Sequence, residues 1–136
     1  MNPISPELVT GTVGELLVQL RLLQFGVQAA PPIKDSGNDL IAVRRLAFRA
    51  VQIKTTAGDT YPVQNLPAYY HILAVVHLVG DGVTLYLDRS RVFLIPKERV
   101  QTAPRQVELL REFALTQNHV DVLFRPRRPA PVEPTV

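Results

Sequence analysis

The sequence predicts an α/β (α+β) domain, a mostly mixed β-sheet flanked by helices. Three observations carry this expectation. The chain opens with helical apolar periodicity. It continues through several short apolar, β-branched runs separated by turn formers, and residues 105–115 return to i, i+3, i+4 spacing. With 136 residues and 46 % apolar content, the chain can bury one modest core and is not globally disordered.

The first element is SPELVTGTVGELLVQLRLLQFG. Ser5 is the expected N-cap, Pro6 suits the first turn, and Glu7 complements the positive helix end. Leu8, Val9, Val13, Leu16, Leu17, Leu20 and Leu23 recur at helical spacing and are expected to form the buried stripe; Gly26 is the expected stop. Gly11 and Gly14 each cost the helix roughly 1 kcal/mol against Ala. Small residues there let the helix approach another backbone or a ligand closely.

Residues 27–29 read as a short edge strand ended by Pro31 and Pro32. After the loop IKDSGN come the strand DLIAV, a turn at Arg44-Arg45 and the strand LAFRAVQIK. Residues 55–68 are rich in turn formers and read as a loop. YYHILAVVHL reads as a strand, with VTLYL as its hairpin partner across Gly80-Asp81-Gly82 and RVFLI as a further strand. PKERV is expected to be a helical turn, RQVELLREFAL a second helix, and HVDVLF a last strand or extended segment. Residues 1–124 thus form one domain, and the Pro- and Arg-rich residues 125–136 are expected to be a disordered tail. There is no internal repeat.

Composition narrows the chemistry. No Cys is present, so disulfides and thiolate metal sites are excluded, and any metal must take oxygen or imidazole ligands. No apolar run approaches ~20 residues, so no membrane span is expected. MNPISPELVTG has neither the basic start nor the apolar core of a secretory signal, so the expected compartment is the cytoplasm. The net charge is +3, and only Lys34, Lys54 and Lys97 of the fifteen basic residues are lysine. Arginine suits bidentate phosphate contact, and a basic balance permits a nucleic-acid partner.

The polar residues at the ends of the apolar strands raise the functional question. Gln52 and Lys54 lie two apart and share a face. A tight turn near Leu46 brings Asp39 opposite them. Asp39 can ligate a hard divalent cation such as Mg²⁺ or Mn²⁺; the Gln52 side-chain oxygen and the Ile53 backbone carbonyl can add neutral oxygens. Lys54 can hold an attacking water and offset charge on a phosphate. One carboxylate binds Mg²⁺ weakly, and Glu15, off the main apolar stripe beside Gly14, is the candidate second acid. Arg44, Arg45 and Arg49 are expected beside this site as phosphate contacts. Each residue also has a plainer reading: a turn acid, a solvated strand end, a surface glutamate, a solvated hairpin.

Other clusters carry less. His71 and His77 are six residues apart on one strand, roughly 20 Å, too far for one ion. His119 and Asp121 have no third ligand nearby in sequence. Tyr69 and Tyr70 can stack on bases, but core or interface packing is the commoner fate of such residues.

The segments GTVGELLVQLRLLQFG, SGNDLIAV and AVQIKTT together resemble the PD-(D/E)xK nuclease superfamily, and are similar to its small Holliday-junction-resolvase-like and Mrr-like members. The resemblance covers about residues 5–56, and more weakly the strands to Pro96. It implies a restriction-endonuclease-like core with a divalent-metal site at one sheet edge, and matches Glu15, Asp39, Gln52 and Lys54 to the motif positions. Gln52 stands where many members carry Glu, which removes a negative charge and throws more weight on Glu15. The function expected is metal-dependent DNA hydrolysis, with substrate choice by DNA shape, a partner or a homodimer, since two centres are needed to cut two strands. The alternatives are a nuclease-fold module that lost catalysis but grips nucleic acid or protein, and a docking subunit with no phosphate chemistry.

Overall fold

The computed structural model describes residues 6–34, 37 and 39–126, with the backbone alone for 6–8. The expected cap Ser5, the side chains of Pro6, Glu7 and Leu8, and all but the first two residues of the expected tail lie outside the described residues.

Helix α1 spans Pro6–Gln24. Five strands follow: β1 Gln28–Ala30, β2 Leu40–Arg44, β3 Ala47–Thr56, β4 Ile72–His77 and β5 Arg91–Pro96. Helix α2, Gln117–Leu123, closes the described chain. The strands lie in the sheet in chain order, antiparallel except for the parallel pair β3 and β4. The mixed sheet with helices against it is the architecture expected from sequence. No helix among the described residues is long and apolar enough to cross a membrane.

Both helices pack on one face of the sheet. Leu17, Val18 and Leu22 of α1 and Val120 of α2 meet Val51, Ile72, Ala74, Val76 and Leu94 there. The opposite face carries Leu73, Val75, Phe93 and Ile95, covered by Tyr61 and Tyr70 of the β3–β4 connection and by Val100, Val107, Leu110 and Phe113. Residues 72–76 of β4 are all buried, as a strand covered on both faces requires, and this explains its unbroken apolar run.

Four expectations are corrected. The buried stripe of α1 runs through Leu17, Val18 and Leu22, whereas Val9, Leu16, Leu20 and Leu23 are exposed at 45, 58, 57 and 58 %. A helix apolar on both sides gives a periodicity that does not say which side faces the core. VTLYL is not a strand. β4 pairs with β5, and only a single bridge joins Gly80 to Leu85. Asp81 Oδ1 accepts the N–H groups of Val83 and Thr84, and its Oδ2 accepts the Tyr86 hydroxyl at 2.6 Å, which winds that segment into a loop.

RQVELLREFAL forms two short 3₁₀ turns, Val107–Leu109 and Arg111–Phe113, instead of a helix. Its buried residues Val107, Leu110 and Phe113 recur every three positions, the period of a 3₁₀ helix, not 3.6. HVDVLF lies in α2 and its end. Thr116 accepts the His119 N–H as N-cap, and Val120 and Phe124 are buried one turn apart.

Candidate functional site at the open edge of β3

Strand β2 begins at Leu40, opposite Val51, while β3 continues past that point to Thr56. From Gln52 onward, one edge of β3 has therefore lost its strand partner. Asp39, the residue before β2, takes its place: its N–H donates to the Val51 carbonyl at 3.2 Å, and its Oδ2 accepts the Ile53 N–H at 2.8 Å. Both backbone groups of a strand residue face the same neighbour, so the Ile53 carbonyl points to this edge as well.

Glu15 reaches the same place from α1. The approach depends on Gly14, where an added Cβ would lie 1.9 Å from Thr55 Oγ1. Helix and strand touch at this point, and Glu15 follows in sequence. A cleft of about 440 Å³ results, lined by Thr10, Gly11, Glu15, Asp39, Ile53, Lys54, Thr55 and Pro62. Burial raises the Glu15 pKa above the ordinary carboxylate value, and the charge of Asp39 raises it further. The two acids are thus near enough to repel, and a cation between them would relieve that repulsion. Two carboxylates and a carbonyl are oxygen donors of the kind that Mg²⁺ and Mn²⁺ take, so the donor set fits such an ion. Among the described residues no group of three or more His, Asp or Glu side chains is arranged so that it could hold a metal ion by itself.

Lys54 lines the cleft, and its Nζ donates to the Gln64 carbonyl of the β3–β4 connection at 3.0 Å. Gln52 is buried, 6 % exposed, and does not line the cleft. Its Nε2 donates to the Gly37 carbonyl at 2.6 Å, which ties the segment just before Asp39 to β3.

The three arginines stand elsewhere. Arg44 and Arg45 lie at the other end of β2 from Asp39, roughly 17 Å away at ~3.3 Å per residue. Arg44 pairs with Asp121 at 2.8 Å. Arg45 turns the chain with φ 54°. Arg49 donates to the carbonyls of Leu123 and Arg125 at 3.0 and 2.6 Å, capping the end of α2. The expectation that this cluster flanks the acids is corrected by the length of the hairpin.

Sequence reasoning missed Thr10, Thr55 and Pro62 as cleft walls and the Gln64 carbonyl as the partner of Lys54. Only the Thr-rich exit from β3 hinted at any of them. His71 and His77 stand at opposite ends of β4, as expected; His71 Nδ1 accepts the Ala50 N–H at 2.8 Å. His119 Nε2 lies 2.6 Å from the Leu94 carbonyl, and Asp121 pairs with Arg44 and accepts from Gln117, so both side chains have structural partners.

No family model matches the chain, and no curated protein matches it in sequence. Among solved structures, its fold is similar to that of a bacterial homing endonuclease, I-Ssp6803I. The TM-score is 0.53 at 14 % identity, over 76 % of this chain and 73 % of that one. At such identity the likeness is one of fold, a nuclease-like core, and function must be argued from the site.

Proposed function

We propose that this chain is a divalent-metal-dependent endonuclease hydrolysing DNA phosphodiester bonds, a PD-(D/E)xK protein of the Gln-x-Lys form acting in the cytoplasm. The observation that carries the reading is the convergence of Glu15, Asp39 and Lys54 on one cleft at the open edge of β3.

Glu15, Asp39 and the Ile53 carbonyl would hold Mg²⁺ or Mn²⁺. Bound there, the ion supplies Lewis-acid polarisation of the phosphodiester and a more acidic water. The Ile53 N–H fixes the Asp39 carboxylate in place, so little reorganisation is needed on binding. Lys54 turns from the Gln64 carbonyl to the attacking water and offsets phosphate charge. Gln52 acts by holding the Gly37 segment, and so Asp39, in position. Arg45, exposed on its turn, remains the arginine of the hairpin best placed to meet phosphate; Arg44 and Arg49 are committed within the fold. Substrate choice would rest on DNA shape, read through the sugar–phosphate backbone. A homodimer would supply two centres, and the uncharged outward stripe of Leu16, Leu20 and Leu23 supports it.

The test is incubation with plasmid, linear and branched DNA plus Mn²⁺, beside Asp39→Ala and Lys54→Ala. Cleavage by the wild type alone is expected. Equal cleavage by all three proteins would mark a contaminant and remove the enzyme assignment.

One observation favours a second reading, a nuclease fold that binds nucleic acid or protein without cutting. Gln52 brings no charge, and its amide is spent on Gly37. Such a module would bind neither Mg²⁺ nor Mn²⁺ measurably, with or without Asp39.

A further inference from the structure

Helix α1 has two interior glycines, and the protein explains only one. At Gly14 a Cβ would strike Thr55, so packing demands the glycine. At Gly11, among the described residues, no atom apart from its chain neighbours and the helix's own nearby backbone lies within 4 Å of where a Cβ would stand, and φ is not in the left-handed region. Alanine would fit there and favour the helix. Gly11 lies four residues before Glu15, one turn away on the same side of α1, and both line the cleft. A side chain at residue 11 would therefore fill space in the cleft without touching the fold.

We propose that Gly11 is kept bare by the substrate: the sugar–phosphate backbone of a DNA strand lies against the bare helix surface at Gly11 on its way to Glu15 and Asp39. This rests on the nuclease reading and adds to it the path of the strand. Glycine is the residue that permits such close approach of a ligand to backbone. The fold carries the cost in helix stability, as expected where a site and stability compete.

The test compares wild type, Gly11→Ala and Gly11→Val by thermal melting and by fluorescence anisotropy with a labelled DNA duplex at low salt. Gly11→Ala is expected to melt about 3 °C higher than wild type and to bind about tenfold more weakly. Gly11→Val is expected to bind more weakly still while remaining folded. Wild-type affinity in both variants would overturn the strand path and leave the nuclease reading standing. A wild type that binds no DNA would overturn both. A lower melting point for Gly11→Ala would show that the protein itself needs the space, which also overturns the inference.

Discussion

The Asp39 carboxylate accepts the Ile53 N–H at 2.8 Å and so occupies the place that a β2 residue would fill had the strand run on. A side chain thus satisfies a backbone donor at the open edge, and an acid is fixed beside a carbonyl.

Replacing Asp39 separates these two roles. Asp39→Asn keeps an oxygen for the Ile53 N–H and should cost less than about 1 kcal/mol in stability; Asp39→Ala should cost about 1–2 kcal/mol by leaving the donor unmet. Both should weaken Mn²⁺ binding at least about tenfold, because the charge is gone in each. Urea denaturation reads the first effect and titration calorimetry the second. Equal Mn²⁺ affinity in Asp39→Asn and wild type would remove Asp39 from the ligand set.

Gly14→Ala should destabilise the fold by about 1–3 kcal/mol, since its Cβ and Thr55 Oγ1 cannot both fit. Thr55→Ala removes that oxygen and should recover much of the loss. The check is a double-mutant cycle, with a coupling of at least about 1 kcal/mol expected. Simple additivity would mean that helix and strand do not touch there.

Gln52→Glu tests whether the amide serves metal or fold. A buried carboxylate cannot donate to the Gly37 carbonyl and would face it with negative charge. The variant should lose about 1–3 kcal/mol of stability without tighter Mn²⁺ binding. A stable variant with stronger metal affinity would show that residue 52 turns into the cleft.

His77 provides a pH signature away from the site. Its Nδ1 accepts from Arg91 at 2.9 Å, because a guanidinium only donates, so the ring is neutral. Burial lowers its pKa from the model-compound value of 6.5, and the Arg91 charge lowers it further, against weaker opposing effects of Glu108 and Asp59. With the folded pKa below the unfolded one, the unfolded chain binds more protons in the window beneath pH 6.5. Stability should therefore fall as pH drops through that window. Urea midpoints between pH 7 and pH 5 should decline less steeply in His77→Gln. NMR titration should place His77 below the unperturbed value, and a value above it would contradict the Arg91 contact.

The sequence by itself determined the elements whose signals are local. The apolar run and Gly26 bounded α1, and the short turn after β2 together with strand alternation placed Asp39 opposite Gln52. The register of Leu40 with Val51 bears this out. Only the tertiary structure decided which face of α1 is buried, because apolar residues lie on both sides of that helix and packing on the sheet chose Val18 and Leu22 over Leu16 and Leu20. The same holds for the partner of β4, where Asp81 curled the expected strand into a loop, and for residues 107–113, where a period of three could be told from 3.6 only once a surface to pack on was present. The sequence offered Glu15, beside Gly14, as the second acid, but its meeting with Asp39 belongs to this second class. It follows from a contact between Gly14 and Thr55, forty-one positions apart, that no local pattern encodes.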